Sequence, residues 1–368
     1  MKSAPFKKQS FTPLLLLLLT AALALSGCHF GRISPQDTNE DAEANATLGE
    51  ESTEETEPEQ PPVLYYHPLT GVLCEENIST SRPLAICVGN DNGGMPQFGL
   101  SCADVLIEAP VENGTRFMAL YANHDAVSTI GSIRSTRDWL MSFSNAFGAV
   151  AVYNGTTDTV GEDTTHYPSA DTVDYTQNAN SGIFYKDPSR VSPHNVMVSL
   201  QGLKSALQSS SFCLTADPAK MPYQNAENGG EVQINGSFAV SVRAMLSLGT
   251  HCEFSYNALT NTYLRRQNGE SHTDAFNAKQ LEFTNLFILF CNVSSYSSAS
   301  GTSFTMDTSS GGSGYYITGG KAVNILWSTD DSGTIKFTNT TGAPLTVSCG
   351  KSYIGLMKVS EKNNLSIN

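Results

Sequence analysis

The stretch Gly131-Ser132-Ile133-Arg134-Ser135-Thr136-Arg137-Asp138-Trp139-Leu140 joins an apolar run ending at Ile130 to an amphipathic run over 139–147. A glycine turn followed by hydroxyls and then helical periodicity reads as a strand giving way to a helix. The helix is expected over 135–147, with Ser135 or Thr136 as its N-cap. Such a junction presents backbone N–H groups without helical partners, and Arg134 and Arg137 add fixed forks of donors. The stretch is therefore a candidate anion site in an acidic chain.

Working outward, strands are expected over 83–88, 103–109, 116–121 and 149–153, with a loop at Asp91-Asn92-Gly93-Gly94. A second helix is expected over 196–207, just after Pro193-His194-Asn195. Strands alternating with helices predict a layered mixed α/β domain. Around Asn228-Gly229-Gly230 the chain turns rich in serine, proline and glycine, which marks a boundary. Beyond it come strands over 231–242, 252–256, 262–266, 281–293, 303–307, 315–317, 322–327, 333–338, 345–347 and 352–359. They are punctuated by the turns Asn268-Gly269 and Asp330-Asp331-Ser332-Gly333. The fold class is α+β overall: an N-terminal α/β domain (63–210), a linker (211–232) and a mainly-β C-terminal domain (233–368).

The first 27 residues read as a targeting segment. Lys2, Lys7 and Lys8 precede an apolar core over 14–25 that is too short to span a bilayer, and Leu25-Ser26-Gly27-Cys28 forms a bacterial lipobox. Cys28 is the expected lipidation site, and several acyl chains on one residue give a stable membrane anchor. Removing the signal leaves 18 basic residues against 35 acidic ones, a net of −17. Ten of those acids fall in residues 29–62 against Arg32 alone, with almost no large apolar side chains. Residues 28–62 are thus expected to be a disordered, self-repelling tether. The remaining 306 residues carry a net of −8, which argues against a nucleic-acid partner.

Besides Cys28 there are seven cysteines, none in a C-x-x-C pair, so a zinc site or thioredoxin-like motif has no support. Most lie in apolar surroundings and read as buried thiols. The seven histidines are scattered, with no His-Glu-x-x-His or Asp-rich loop, and Gly319-Gly320-Lys321 lacks the rest of a P-loop. No cofactor or metal is expected.

Six polar residues are expected around one cleft: Glu108, Arg116, Arg134, Arg137, Arg190 and His194, with Ser135 and Asn195 beside them. Strand ends and the loops beyond them are where α/β sheets bind ligands. Four arginines with one carboxylate and one histidine suit a carboxylate- or phosphate-bearing ligand. The competing reading pairs Glu108 and Glu112 with Arg116 and Arg134 in buried bridges and leaves His194 as a helix cap. Ser135, His194 and Glu108 can be drawn as a triad, but no G-x-S-x-G frames the serine. The balance leans away from catalysis.

Motifs spread along the folded part resemble the YerB-type lipoproteins of Gram-positive bacteria, a two-domain family of uncharacterised function. In the first domain they are Pro68-Leu69-Thr70-Gly71, Arg82-Pro83-Leu84-Ala85 with Asn90, Pro96-Gln97, Gly99-Leu100-Ser101, Ala103-Asp104 with Glu108, and Glu112 with Gly114-Thr115-Arg116-Phe117. Ile130-Gly131, Arg134-Ser135 with Arg137, Tyr185 with Asp187, Ser189-Arg190 and Pro193-His194-Asn195 complete that domain. Tyr263, Arg265, Gly269, Asp274, Gly319-Gly320-Lys321, Trp327 and Gly350-Lys351 follow in the second. The chain departs from the family pattern at Gly89, Ser132, Asn154 and Ser328, where Asp, Pro, His and Lys are usual. A family with proline at Ser132 cannot need that hydroxyl.

Together these readings predict a lipoprotein held at the outer face of the bacterial cytoplasmic membrane. It would serve as a non-catalytic binding or regulatory module of the cell envelope. Its expected partner is an anionic cell-wall polymer or a membrane-bound wall-synthesis protein. The alternative is an extracytoplasmic hydrolase or transferase acting on wall material.

Overall fold

Three strands with nearly continuous apolar sequences lie at the centre of the main sheet: Asn285–Cys291, Ser352–Lys358 and Val105–Val111. They pair in parallel, Leu286 against Tyr353 and Tyr353 against Leu106. Parallel strands are covered on both faces, so apolar residues are needed at every position rather than at alternate ones. The computed structural model describes residues 63–156, 171–298 and 301–368. The signal segment, Cys28 and the acidic tether lie outside the described residues.

From Val105–Val111 the sheet continues through Gly114–Tyr121 and Leu84–Gly89, both antiparallel to their inner neighbours. Val150–Tyr153 and Thr172–Asp174 then add in parallel. On the other side of Asn285–Cys291 come Gly312–Thr318 and Lys321–Thr329. Both Ser237–Phe238 and Ile335–Asn339 pair with Lys321–Thr329. The outcome is an eleven-stranded sheet in which both halves of the sequence share one hydrogen-bonded ladder. Residues 211–232, expected as a linker, place Tyr223 in the core, stacked on Phe287 at 5.4 Å, and pair Gln224–Asn225 with Thr346–Val347.

One face of this sheet is covered by the helix Asp138–Ala146, which buries Trp139, Leu140 and Phe143 among Ala85, Ile107 and Leu120. Each large side chain so buried contributes about 1.5–3 kcal/mol. The other face is covered over one half by Val196–Ser199, sandwiched between Thr129–Gly131 and Phe184–Lys186, together with the helix Leu200–Gln208. Over the other half lies a second sheet built on Ser241–Ser247, Thr250–Asn257 and Thr262–Gln267, which contributes Val242, Phe254 and Tyr263. The molecule is α+β and mostly strand. The N-terminal part is half of a shared sheet rather than a separate α/β layer structure.

Two local expectations are corrected. Residues 196–199 form a strand, not the first turn of a helix, because Val196, Met197 and Val198 are all buried and hydrogen-bonded on both sides. Ser199 then caps the real helix by accepting from Gly202 N at 3.2 Å. The helix after the arginine stretch begins at Asp138 with Arg137 as its N-cap, not Ser135 or Thr136. The cause lies in the backbone: Arg134 N donates to Cys87 O and Thr136 N donates to Gly155 O. These bonds, with Asn154 N donating to Arg134 O, hold residues 134–136 extended between neighbouring strands.

Candidate functional site

The extended segment 134–136 passes the outer end of Gly114–Tyr121, and three guanidiniums meet there. Arg116, buried at 6% exposure, donates from Nη1 to Ser135 O at 2.5 Å and to Ser135 Oγ at 2.9 Å. Arg137 Nη1 donates to the same hydroxyl at 3.2 Å and to Thr136 O at 2.8 Å. Its opposite edge is bidentate on Glu112, with Nε 3.2 Å from both oxygens and Nη2 2.5 Å from Oε2. Arg134 donates from Nη1 to Asp91 Oδ2 at 3.1 Å.

Only Arg116 among the three has no carboxylate partner, and its Nε is buried without a hydrogen bond. Burial pulls its guanidinium down to about 10; the charges of Arg137 and Arg134 push the same way, against an opposing pull from Cys87 and Asp91. Glu112 moves oppositely to its burial. Burial acts to raise it, but hydrogen bonds from Arg137 and Ser303 prevail and bring it down to about 2. The Cys87 thiol, whose Sγ lies 3.4 Å from Ser135 O, is pushed up to about 11 by burial and behaves as an inert apolar wall.

His194 joins this cluster through Asp91. Its Nδ1 lies 2.9 Å from Asp91 Oδ1 and 2.9 Å from Arg134 Nη1. Asp91 can only accept and Arg134 can only donate, so the two make opposite demands on this nitrogen, and the tautomer decides which of them it bonds. Asp91 accepts from Arg134 in either case and lies within reach of His194. Arg190 holds the loop that carries His194: its Nη1 donates to Gly94 O at 3.0 Å and its Nη2 to Pro96 O at 2.7 Å. Asn195 contributes its carbonyl, which accepts from Asp187 N at 2.8 Å. Arg190 and Asn195 therefore position the His194 loop and do not join the arginines at Ser135.

Glu108 is placed elsewhere. It is fully buried and forms an ion pair with Arg265 Nη2 at 2.6 Å. Its oxygens also accept from Asn90 at 2.9 Å, Thr115 at 2.6 Å and Tyr353 at 2.7 Å. Arg265 donates further to Gln267 Oε1 at 3.1 Å and to His272 Nδ1. Gln97 donates its amide to Gly89 O and Asn90 Oδ1, so its oxygen accepts from His272 Nε2 at 2.7 Å. His272 is consequently a neutral imidazole, held well below its usual value by burial and by Arg265. The expected pairing of Glu108 and Glu112 with Arg116 and Arg134 is replaced by Glu108–Arg265 and Glu112–Arg137. The drawn triad does not assemble: the bonds of Ser135 Oγ run to guanidiniums, and Glu108 belongs to the buried network.

Sequence reasoning missed Asp91, paired Glu112 with the wrong arginine and noted Gly89 only as a departure from the family pattern. Asp91 read as part of a loop, although it accepts from Arg134 and lies 2.9 Å from His194. A Cβ on Gly89 would stand 2.8 Å from Arg134 Cγ, so the missing side chain there lets Arg134 lie where it does. Among the described residues no group of three or more His, Cys, Asp or Glu could hold a metal ion. Likewise no described helix is long and apolar enough to cross a membrane, and the seven described cysteines are free thiols.

Family profiles match both halves of the chain. One, described as the N-terminal domain of a protein of unknown function (DUF3048), covers residues 69–213. The other, its C-terminal domain, covers residues 241–354. The chain belongs to this two-domain, YerB-type family. A relative from Bacillus subtilis (strain 168), named "Putative lipoprotein YerB", is 26% identical over 264 residues, spanning 71% of this chain and 77% of the relative. The crystal structure of YerB protein from Bacillus subtilis matches with a TM-score of 0.69 at 26% identity, covering 83% of this chain and 99% of that one.

Proposed function

We propose that the chain is a lipid-anchored envelope lipoprotein whose arginine cluster at Ser135 binds an anionic group of a wall-related ligand or wall-synthesis protein. The single observation that carries this reading is Arg116, a buried guanidinium whose hydrogen bonds go only to neutral oxygens. A desolvated cation with no carboxylate bonded to it is costly, and an anion arriving at Ser135 relieves that cost. Family membership beside a named lipoprotein, together with the lipobox at Cys28, supports an anchor on the outer face of the membrane. The acidic remainder of the chain admits only ligands small or thin enough to reach Ser135. No step of this role requires a cofactor.

The test is calorimetric titration of the full mature chain with anionic wall fragments, beside the variants Arg134→Ala and Arg137→Lys. Both folded variants should lose most of the binding, because an ammonium lacks the two-pronged geometry of Arg137. Undiminished binding by both variants contradicts the proposal.

A second reading, an extracytoplasmic hydrolase or transferase, is favoured by the Asp91–His194 contact of 2.9 Å. In the tautomer whose Nδ1 proton faces Asp91, the imidazole can offer Nε2 as a base, whereas in the tautomer whose Nδ1 accepts from Arg134 it cannot. Against it, Ser135 Oγ already accepts from two guanidiniums, which is the environment of an anion-binding hydroxyl rather than of a base-activated nucleophile. Turnover of wall material that is abolished in His194→Gln would establish this second reading over the first.

A further inference from the structure

Resting on that binding role, we infer that the Ser135 site selects a singly charged group with two terminal oxygens, a carboxylate or a phosphodiester, over a doubly charged phosphomonoester. Charge balance within one cluster sets this preference. Three guanidiniums converge on residues 134–137, and two of them are already matched: Arg134 by Asp91 at 3.1 Å and Arg137 by Glu112 at 2.5 Å. Three guanidiniums against two carboxylates leave one net positive charge, at Arg116, which is bonded only to the carbonyl and hydroxyl of Ser135. A single negative charge completes the balance. A second would sit in a cluster that already holds the carboxylates of Asp91 and Glu112, with no further guanidinium among the described residues of the cluster to meet it.

Ser135 supplies the point of contact. Its Oγ accepts from Arg116 Nη1 at 2.9 Å and from Arg137 Nη1 at 3.2 Å, so its own proton is turned away from both. That proton is a donor backed by two cations, and the residue is half-buried rather than sealed. Charge-assisted bonds of this kind are short and strong, and anions with two terminal oxygens match the N–H edge of a guanidinium. Carboxylates and phosphodiesters share this two-oxygen, one-charge form.

The experiment compares three small probes on the full mature chain at pH 8 and low salt: propionate, dimethyl phosphate and monomethyl phosphate. At that pH the monoester carries nearly two charges, since its second ionisation lies near 6. The two singly charged probes should each bind roughly tenfold more tightly than monomethyl phosphate, the size of a moderate like-charge penalty near a protein surface. The tighter of propionate and dimethyl phosphate names the source, and equal affinities mean that the site reads the shared form alone. Glu112→Gln removes one compensating carboxylate but keeps an oxygen for Arg137. It should raise the monoester to within about two- to threefold of the diester, because the freed positive charge accommodates the second negative one. Monomethyl phosphate binding as tightly as the diester to the wild-type chain, or a preference unmoved in Glu112→Gln, overturns the charge selection while leaving anion binding intact. Failure of all three probes to bind overturns both.

Discussion

Two arginine clusters among the described residues share one feature, a buried Nε without a hydrogen bond on Arg116 and on Arg265, and differ in charge balance and access. Around Glu108 and Arg265 both charges are fully buried, each faces the other at 2.6 Å, and the remaining oxygens and amides are satisfied by Asn90, Thr115, Gln97, Gln267, His272 and Tyr353. Around Ser135 one cation has no counter-charge, and Ser135 itself is half-buried. The first network ties strand Val105–Val111 to the sheet that carries Arg265, so it fastens one family domain to the other. Residue type does not distinguish the two; charge balance and access do. A buried, closed pair belongs to architecture, whereas an open cluster with one unmatched charge is equipped to meet a ligand.

Breaking the closed cluster should have the largest effect. Glu108→Gln leaves Arg265 buried without its carboxylate and should cost about 3–5 kcal/mol in denaturant unfolding. A cost below about 1 kcal/mol would mean that water or a neighbour replaces the pair and that the network is not closed.

The pH dependence separates the clusters next. Buried His272 is held neutral in the folded state, below its ordinary value of 6.5, so between its folded and unfolded values the unfolded chain binds the extra proton. Stability from this group is therefore complete above about pH 6.5 and declines as pH falls, by up to about 1.4 kcal/mol per pH unit. His272→Gln should flatten that decline between pH 6.5 and 5. An unchanged slope would remove His272 as its cause. Glu112 acts at lower pH: its carboxyl is brought down to about 2, so its contribution is present above about 4.5 and fades toward 2.

Two smaller changes probe the open cluster. Gly89→Ala places a methyl 2.8 Å from Arg134 Cγ. Arg134 must give way at Cγ while its guanidinium is held by Asp91, so the cost should be about 1–3 kcal/mol for overpacking, with weakened anion binding. Ser135→Ala removes an acceptor shared by Arg116 and Arg137 and should cost about 1–2 kcal/mol of stability while lowering anion affinity about tenfold, the worth of one charge-assisted donor. Equal losses of stability in Ser135→Ala and Glu108→Gln would erase the distinction between the two clusters.

Much of this was legible in the sequence, and the limits follow from range. The central strands announced themselves as unbroken apolar runs such as Leu286-Phe287-Ile288-Leu289-Phe290. Arg134, Ser135 and Arg137 could be placed together because the ends of the set are only three positions apart. Glu108 could not be assigned its partner, since Arg265 lies 157 positions away and no local pattern links them. Val196, Met197 and Val198 read as the start of a helix because a helix does follow them. Their strand pairing with Gly131 and Lys186 is tertiary information. Ser135 and Thr136 have the chemistry of N-caps, but the carbonyls of Cys87 and Gly155 hold the segment extended.

The most direct test of the Ser135 cluster as an anion site is to follow arginine side-chain signals by NMR in the full mature chain during titration with dimethyl phosphate. Saturable shifts should appear for Arg116, Arg134 and Arg137, while Arg265, closed off behind Glu108, stays where it is. Silence from Arg116, or movement of Arg265 in step with it, would contradict the account.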